Sequence, residues 1–418
     1  MSTATAHDAD AVITARDKGL PERAIGLTDA EFLATGPRLD EFWTPLIVLD
    51  DAAMRHNTDT MAAWCAQRGL ELMPHGKTTM APTLWQRQLD AGALGITLAT
   101  MGQVRTARSF GVSSIMLANA AVDERSLRWL GAELADHAFR FVCWVDSLET
   151  VEAMAHGLRA AAASRPVDVC VELGAPGGRT GARAVEAAVE VSERVAATPE
   201  LRLAGVAGYE GSLAHERTHA ALNAVRTYLQ RQVELHERIR HLYEPGDVYL
   251  TAGGSAYFDV VADVYAGVDD AHRVLRSGAY IVHDDGFYRQ ISPFDEGRSS
   301  DEAPRFRAAM HGVARVVSHP EPGLALLDGG KRDLPYDEGL PIPRAVASDL
   351  GAPWSALDGA AVSAMNDQHS YLRADAPVSS VVALGLSHPC TAFDKWRVLP
   401  VVDAWETGRV IDLVRTFF

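Results

Sequence analysis

The chain has 418 residues, of which 47% are hydrophobic and 22% charged, an ordinary composition for a protein with a large buried core. Acidic residues outnumber basic residues by 55 to 39, and the formal net charge is −16. Because nucleic acids and membrane surfaces are anionic and attract basic proteins, this charge argues against both as partners.

Targeting signals and disulfides are not expected. The sequence has no apolar run of the roughly 18 residues that a membrane-spanning helix needs. Residues 1–19 lack the basic-then-apolar order of a signal peptide. The four cysteines, at positions 65, 143, 170 and 390, are far apart and form no Cys-x-x-Cys pair. The sequence therefore predicts a cytoplasmic protein with reduced thiols.

From residue 44 onward, short apolar runs alternate with longer segments of helical periodicity, which is the pattern of parallel β/α units. Eight predicted strands lie at 70–76, 95–99, 114–119, 140–146, 167–173, 202–209, 247–253 and 273–280. Eight units in about 240 residues favour a closed (β/α)8 barrel of the TIM type. An open doubly wound sheet is compatible with the same pattern.

After about residue 300 the pattern changes to short β-rich runs broken by Gly, Pro and Asp, which predicts a smaller antiparallel β domain. The run at 44–50 precedes the barrel and is a candidate strand for that domain. We therefore predict an N-terminal extension with helical character at 1–43, a barrel at 44–295 and a C-terminal β domain at 296–418.

Lys77 lies in the segment MPHGKTTM (73–80), directly after the first predicted barrel strand. Active sites of β/α barrels lie at the carboxyl ends of the strands. A lysine partly removed from water has a lowered pKa and becomes an amine nucleophile. From its position alone, a lysine that reaches solvent from a loop explains Lys77 at least as well.

Three glycine-containing loops follow later predicted strands. TAGGSAY (251–257) follows the seventh strand and RSGAY (276–280) closes the eighth, a region where backbone N–H groups of barrels commonly hold a phosphate. GGRTG (177–181) follows the fifth strand and carries Arg179, whose guanidinium is suited to an anionic oxygen. Each loop taken alone is also compatible with an ordinary turn.

The segment SHPCTAFDKWR (387–397) in the predicted β domain contains His388 and Cys390, two residues apart. On an extended strand such residues point to the same side, and imidazole with thiolate favours Zn²⁺. Two protein ligands leave coordination positions for water or substrate, which suits a catalytic metal. Taken alone, the pair is equally explained by two unconnected core residues.

Together these segments resemble the D-threonine aldolase and D-serine dehydratase (D-serine deaminase-like) group of fold-type III pyridoxal-phosphate enzymes, which are relatives of alanine racemase. The resemblance covers roughly residues 44–405. It rests on PHGKT (74–78), GRTG (178–181), the glycine pair at 253–254, SGAY (277–280) and HPC (388–390).

The resemblance implies a role for each matching residue. Lys77 would hold pyridoxal 5′-phosphate as a Schiff base, Arg179 would approach the 3′ oxygen of the ring, and Tyr209 would flank the ring. His388 and Cys390 would bind a divalent metal near the substrate hydroxyl, so His388 is also counted as catalytic. The complete set expected at the cofactor is Lys77, His75, Arg179, Tyr209, Gly253, Gly254, Ser255, Gly278, Ala279 and Tyr280.

The chain departs from the family pattern at several positions. Met73 stands where many members have Arg, and Pro176 interrupts the glycine-rich stretch before Arg179. Cys390 stands where the family has a carboxylate beside the last position of the metal motif, which favours the dehydratase branch and zinc over manganese or magnesium. The stretch DQHSY (367–371) stands where the family commonly has an acidic, acidic, His, Gly run, so His369 is a further candidate near the site.

The resemblance implies a lyase that acts on small D-3-hydroxy amino acids. The preferred prediction is dehydration to a 2-oxo acid and ammonia, and the alternative is retro-aldol cleavage to glycine and an aldehyde. A racemase and a non-catalytic pyridoxal-phosphate carrier are weaker alternatives, because a racemase needs no metal and carriers lack the β domain. The resemblance also implies a homodimer.

Overall fold

The computed structural model describes residues 11–295 and 304–418. The helices of these residues are α1 (Asp29–Ala34), α2 (Asp51–Gln67), α3 (Pro82–Asp90), α4 (Met101–Ser109), α5 (Glu124–Glu133), α6 (Leu148–Ala160), α7 (Val185–Ala196), α8 (His219–Ile239), α9 (Phe258–Tyr265) and α10 (Phe287–Ile291). The strands are β1 (Leu46–Asp50), β2 (Glu71–Leu72), β3 (Ile96–Leu98), β4 (Ser114–Leu117), β5 (Arg140–Val145), β6 (Val167–Glu172), β7 (Leu201–Ala207), β8 (Tyr249–Ala252), β9 (His272–Leu275), β10 (Met310–Glu321), β11 (Leu324–Leu327), β12 (Ile342–Ala347), β13 (Ser355–Ala356), β14 (Ala361–Met365), β15 (Ser370–Arg373), β16 (Val381–Gly385), β17 (Val398–Val402) and β18 (Val410–Arg415).

The chain divides into two compact units. The barrel unit comprises Ala62–Lys77 and Gln88–Gly278, and the sheet unit comprises Met1–Met61, Thr78–Arg87 and Ala279–Phe418. The predicted domain boundaries stay predictions. Residues 1–10 and the predicted start of the C-terminal domain at 296 lie outside the described residues.

The barrel unit contains one parallel sheet of eight strands in the order β2-β9-β8-β7-β6-β5-β4-β3. The two ends of this order are joined, because Leu94 N–H donates to the Leu72 carbonyl at 2.8 Å and Thr97 N–H donates to the Pro74 carbonyl at 2.9 Å. The sheet therefore closes on itself. The predicted eight-stranded barrel is confirmed, and the open doubly wound alternative is excluded.

The barrel interior is filled by a cluster of buried side chains. The residues of this core are Met73, Met116, Val142, Trp144, Cys170, Ala204, Ala207, Tyr249 and Val274. Such a filled interior leaves the loops at the carboxyl ends of the strands as the place for a site.

The sheet unit is built around a ten-stranded, mainly antiparallel sheet. Its strand β1 pairs antiparallel with β10, with Leu46 opposite Val313, and parallel with β17, with Leu49 opposite Val401. The five residues of β1 are all buried, as expected for a strand with neighbours on both sides. The predicted antiparallel β domain is confirmed, and so is the membership of the run at 44–50 in it.

The predicted helical character of the N-terminal extension is confirmed only for one short α-helix and two 3₁₀ turns within the described residues. Helix α1 begins with a capping box in which Thr28 and Glu31 satisfy each other's backbone N–H groups. Asp29 in its first turn accepts two hydrogen bonds from Arg415 of β18, at 2.6 and 2.7 Å. No helix of residues 11–295 and 304–418 is long and apolar enough to cross a membrane.

Gly205 in β7 offers a test of the barrel geometry. Its φ is +132°, and a Cβ atom there would lie 1.9 Å from the carbonyl oxygen of Tyr249 in β8. Because the obstacle is backbone and the conformation disfavours any side chain, we expect Gly205→Ala to destabilise the protein by about 3 kcal/mol or more. The measurement is the free energy of unfolding in urea.

Gly267→Ala is the matched control, since a Cβ atom at Gly267 meets nothing within 4 Å and its φ is ordinary. We expect the control to change the free energy of unfolding by less than about 1 kcal/mol. Equal stability of the Gly205→Ala protein and the wild type would contradict the close approach of β7 and β8.

Candidate active site

Lys77 lies on a short 3₁₀ turn, Gly76–Thr78, that follows β2 in the barrel unit. The segment before it is held from both sides, because Met73 and His75 donate their N–H groups to the carbonyls of Leu275 and Arg276, at 2.9 and 3.1 Å. On the other side the Pro74 carbonyl accepts from Thr97. Lys77 is half-buried at the carboxyl end of the first barrel strand, where the sequence predicted it.

His75, also predicted at the site, is held in its neutral form. Burial lowers its pKa well below the usual value, and the positive charges of Lys77, Arg276 and Arg179 lower it further. Its Nδ1 atom is buried and has no hydrogen-bond partner among the described residues. Gly278 lies directly against this residue, since a Cβ atom on Gly278 would lie 2.4 Å from the His75 carbonyl oxygen.

Arg276 is an additional cation of the site that the sequence interpretation did not single out. Its side chain is 2% exposed, and its guanidinium lies 4.8 Å from the centre of the Trp144 ring. It donates hydrogen bonds to the Thr251 hydroxyl at 2.6 Å and to the Gly208 carbonyl at 2.5 Å. Its Nε atom has no partner among the described residues, and the same holds for Trp144 Nε1.

The glycine pair after β8 is engaged by a carboxylate. Glu210, fully buried, accepts from the N–H groups of Gly253 at 3.0 Å and Gly254 at 2.6 Å. The Ser277 hydroxyl donates to the carbonyls of both glycines, at 3.1 and 3.2 Å. The two amides are thus satisfied within the protein. The phosphate role expected of Gly253, Gly254 and Ser255 stays a prediction.

Arg179 and Tyr209 are brought together at the mouth of the barrel unit. The Arg179 guanidinium lies 4.5 Å from the centre of the Tyr209 ring, within the range of a cation–π interaction. The Tyr209 N–H donates to the Tyr228 hydroxyl at 3.1 Å, which fixes the backbone at the end of β7. The sequence predicted both residues at the site, and the structure places them in contact.

Glu172, at the end of β6, is a buried carboxyl of the same region. Burial raises its pKa to about 7, while the hydrogen bond from the Thr180 hydroxyl, at 2.9 Å, opposes the rise. Its nearest cations include Arg276 and Arg179. A group with this pKa exchanges its proton near neutral pH, as acid–base groups in active sites do.

These observations test whether pyridoxal phosphate fits the barrel unit. The cofactor is an anionic aromatic ring with a phosphate and several hydrogen-bond acceptors. Three cations, Lys77, Arg179 and Arg276, lower the pKa of one imidazole, that of His75. Three of the buried nitrogen atoms that have no partner among the described residues belong to this group, namely His75 Nδ1, Trp144 Nε1 and Arg276 Nε. An excess of positive charge beside unsatisfied donors matches such a group.

In the sheet unit, His388 and Cys390 follow β16 but do not lie on a strand, so the predicted strand placement is wrong. His388 adopts a left-handed conformation with φ of 56°, and Pro389–Thr391 form a 3₁₀ turn. Proline lacks the N–H group that a sheet ladder needs, and this ends the extended conformation. The turn nevertheless keeps the two side chains close enough for Cys390 to raise the pKa of His388.

A carboxylate completes the surroundings of His388. Asp337 Oδ2 lies 2.5 Å from His388 Nδ1, and Asp337 Oδ1 accepts from the Thr391 hydroxyl at 2.6 Å. Burial alone would lower the pKa of His388, but Cys390 and then Asp337 raise it to about 9. The backbone N–H of His388 donates to Asp284 at 3.0 Å. The imidazole is therefore held by its backbone and by its ring.

Thr78, the residue that directly follows Lys77 in the chain, is part of the sheet unit. Its hydroxyl lies 3.5 Å from the sulfur of Cys390. The predicted cofactor residues Ala279 and Tyr280 are also in this unit and are both buried, with the Tyr280 ring packed against Phe306 at 6.0 Å.

The donor set around His388 is suited to a metal with few protein ligands. Imidazole and thiolate are the ligands that zinc prefers. Among residues 11–295 and 304–418 no three or more His, Cys, Asp or Glu side chains are grouped to hold a metal ion. The two ligands expected from the sequence fit a metal whose other positions are filled by water or substrate.

His369 is exposed in the turn between β14 and β15, where its carbonyl accepts from Asn366 at 2.8 Å. The residues that surround His388 are Asp284, Phe287, Asp337, Cys390 and Thr391. The structure does not bring His369 into this group, and its role at the site stays a prediction.

The sequence alone did not single out several residues that the structure places in the candidate site of the barrel unit or beside His388 in the sheet unit. Arg276 stands at the start of RSGAY, so its place beside the glycine loop could have been noticed. Glu210 follows Tyr209 directly and was equally visible. Asp337 is 51 residues before His388 in the chain and carries no motif, so only the folded sheet reveals it.

Two family models match this chain. The family model "Alanine racemase, N-terminal domain" matches residues 49–261, just over half of the chain. The model "Putative serine dehydratase domain" matches residues 309–402.

Two named relatives are similar in sequence. A D-threonine aldolase of Arthrobacter sp. is 28% identical over 379 residues, which cover 87% of this chain and 91% of the relative. A D-threo-3-hydroxyaspartate dehydratase of Delftia sp. is 25% identical over 302 residues, covering 71% of this chain and 73% of the relative.

Solved structures share the fold. The D-threonine aldolase of Filomicrobium marinum superposes with a TM-score of 0.77 at 24% identity, covering 91% of this chain and 97% of that one. The Delftia dehydratase superposes with a TM-score of 0.72 at 21% identity, covering 91% and 99%. Two further structures, each of a D-threo-3-hydroxyaspartate dehydratase, carry alanine in place of a histidine and of a cysteine two positions later, the cysteine variant in the metal-free form.

The two family models, the relatives and the shared fold agree with one another. The chain therefore belongs to the alanine racemase-like, fold-type III family of pyridoxal-phosphate enzymes, and within it to the group of D-threonine aldolases and D-serine dehydratases, which are lyases.

Proposed function

We propose that this enzyme is a pyridoxal-phosphate- and metal-dependent dehydratase of D-3-hydroxy amino acids, of the D-serine or D-threonine type. The observation that carries the proposal is the pair His388 and Cys390. It has the order and spacing of the histidine and cysteine that were replaced by alanine in two structures of a D-threo-3-hydroxyaspartate dehydratase, the cysteine variant being described in the metal-free form. The net reaction converts the substrate to a 2-oxo acid and ammonia.

The barrel unit would hold the cofactor. When bound, pyridoxal phosphate supplies an electron sink that makes the bonds at the substrate Cα labile. Lys77 would attach it covalently and would accept the Cα proton on its Nζ atom. Arg179 and Arg276 supply positive charge for its anionic oxygens. Burial, and then the charges of Lys77 and these two arginines, lower the pKa of His75.

The sheet unit would hold the metal. A divalent ion on His388 and Cys390 supplies Lewis acidity toward the β-hydroxyl of the substrate. A thiolate ligand favours zinc over manganese or magnesium, which prefer oxygen ligands. Within the sheet unit the Thr78 hydroxyl lies 3.5 Å from the Cys390 sulfur.

Retro-aldol cleavage to glycine and an aldehyde is a second candidate. The Arthrobacter relative, which covers more of this chain than the dehydratase relative does, is named a D-threonine aldolase. Both reactions start from the same substrates and differ in the bond that breaks. Incubation with D-serine, D-threonine and D-threo-3-hydroxyaspartate separates them, because one yields a 2-oxo acid and the other yields glycine with an aldehyde.

Two weaker alternatives have less support. A racemase needs a second base rather than the metal pair, and a pyridoxal-phosphate carrier of a lone barrel would lack the sheet unit. Homodimer formation and a cytoplasmic location stay predictions.

Lys77 is expected to be the attachment point of the cofactor. The purified protein should be yellow, and borohydride should fix the cofactor to the peptide that contains Lys77, as peptide mass spectrometry can verify. Lys77→Ala should abolish the labelling, because no other amine then takes its place. Lys331→Ala, a half-buried lysine of the sheet unit, should label like the wild type. Covalent labelling that persists in the Lys77→Ala protein would overturn the assignment.

Catalysis is expected only with the D configuration. A single base, Lys77, removes the Cα proton from one side, so only one enantiomer presents that proton correctly. L-serine and L-threonine should be turned over at least about 100-fold more slowly than the D forms, which corresponds to about 3 kcal/mol of transition-state discrimination. Coupled detection of 2-oxo acid measures both rates. Comparable rates for both enantiomers would favour the racemase alternative instead.

Metal removal is expected to abolish turnover without bleaching the protein. The colour depends on Lys77 in the barrel unit, whereas the metal would be held by His388 and Cys390 in the sheet unit. After treatment with a chelator, zinc should restore activity, and His388→Ala and Cys390→Ala should behave like the chelated enzyme. Cys65→Ala is the control, since Cys65 is a buried core residue. Full activity in a preparation that elemental analysis finds metal-free would contradict the metal role.

A further inference from the structure

Asp337 is bonded to His388 in a way that determines which ring nitrogen is free. Its Oδ2 atom lies 2.5 Å from His388 Nδ1. An ionised carboxylate can only accept hydrogen bonds, so Nδ1 must carry the hydrogen of this contact. In the neutral imidazole the lone pair then resides on Nε2, the nitrogen left for a metal.

The carboxylate is itself oriented by a second contact. Asp337 Oδ1 accepts a hydrogen bond from the Thr391 hydroxyl at 2.6 Å. One carboxylate oxygen therefore accepts a hydrogen bond from Thr391, and the other accepts one from His388. Since both oxygens are engaged, Asp337 is arranged as a partner of the ligand rather than as a further ligand.

The backbone of His388 is fixed independently of its ring. Asp284 accepts the His388 N–H at 3.0 Å, and it also accepts the N–H groups of Gly286 at 3.0 Å and Tyr288 at 2.8 Å. The Phe287 ring lies edge-on to the imidazole, with centroids 6.3 Å apart. Because the main chain is held in this way, the imidazole can still move only by rotation about its side-chain bonds. The hydrogen bond to Asp337 restricts that rotation.

We propose that Asp337 is a positioning residue that fixes the tautomer and the orientation of His388 for metal binding. The inference rests on the proposed function, because it takes His388 and Cys390 as the metal ligands. Carboxylates that accept the second N–H of a ligating histidine raise its basicity and orient its ring, and their loss weakens metal binding. This carboxylate acts through His388 and does not touch the metal.

The test is the zinc affinity of the pyridoxal-phosphate-loaded enzyme, measured by competition with a chromophoric zinc chelator after the metal has been stripped. We expect Asp337→Ala to weaken zinc binding roughly 10- to 100-fold. Asp337→Asn should weaken zinc binding less than Asp337→Ala does, because the amide carbonyl oxygen of asparagine can still accept the Nδ1 hydrogen of His388. Thr391→Val removes the contact that orients Asp337, together with a longer contact of 3.4 Å to the His388 carbonyl, and should weaken zinc binding a few-fold.

Glu338→Gln is the matched control. It removes one negative charge at the neighbouring position, where the residue is exposed, and it should leave the zinc affinity within about 2-fold of the wild type, as expected of a screened surface charge. The melting temperature and the visible absorbance of the bound cofactor should stay unchanged in all four variants. This would separate a weakened metal site from a damaged fold.

Three results would overturn the inference in distinguishable ways. Zinc affinity of the Asp337→Ala protein within about 2-fold of the wild type would show that His388 needs no orientation. An affinity as low as that of Cys390→Ala would make Asp337 a ligand instead. If the Asp337→Ala protein does not fold, an unchanged zinc affinity in both Asp337→Asn and Thr391→Val would overturn the positioning role of Asp337. Failure of the wild type to bind zinc at all would instead refute the proposed metal dependence.

Discussion

The hydrogen bonds that close the barrel between β2 and β3 determine where the candidate nucleophile lies. Strand β2 is only two residues long, so the next residues are held mainly by neighbours: Met73 and His75 by the β9 side, Pro74 by Thr97. The Thr97 hydroxyl adds a hydrogen bond to the Met73 carbonyl. Because three consecutive residues are fixed from both sides, the turn that carries Lys77 begins from a rigid point at the carboxyl end of the barrel.

Much of the fold follows from patterns that depend on local sequence. The eight strands were predictable because each is a short apolar run between segments of helical periodicity. The change to short β-rich runs broken by Gly, Pro and Asp after residue 300 indicated the second sheet. The site residues in loops after strands, such as Lys77 and Arg179, were predictable for the same reason, since the carboxyl end of every barrel strand points to one face. Family motifs added the functional assignment of those positions.

The residues that could not be predicted are those whose importance depends on distant partners. Asp337 acquires its role only because the sheet brings it to His388, and nothing in its neighbourhood of the sequence indicates this. Cys390 was expected on a strand because alternate residues of a strand share a face, yet Pro389 imposes a 3₁₀ turn that brings the same two side chains together by another geometry. The engagement of the Gly253 and Gly254 amides by Glu210 likewise depends on tertiary structure.

Strand β1 has a consequence for how the protein is made. Its two neighbours, β10 and β17, begin more than 250 and 340 residues later in the chain. At ribosomal rates of about 5–20 residues per second, the apolar segment Leu46–Asp50 waits roughly 20–70 s after its own synthesis before the second neighbour is complete. Throughout that interval at least one edge of a strand that ends fully buried is unpaired, the kind of surface that molecular chaperones protect. The C-terminal part of the chain consequently cannot be produced as a complete contiguous fragment, because one of its central strands is encoded near the other end.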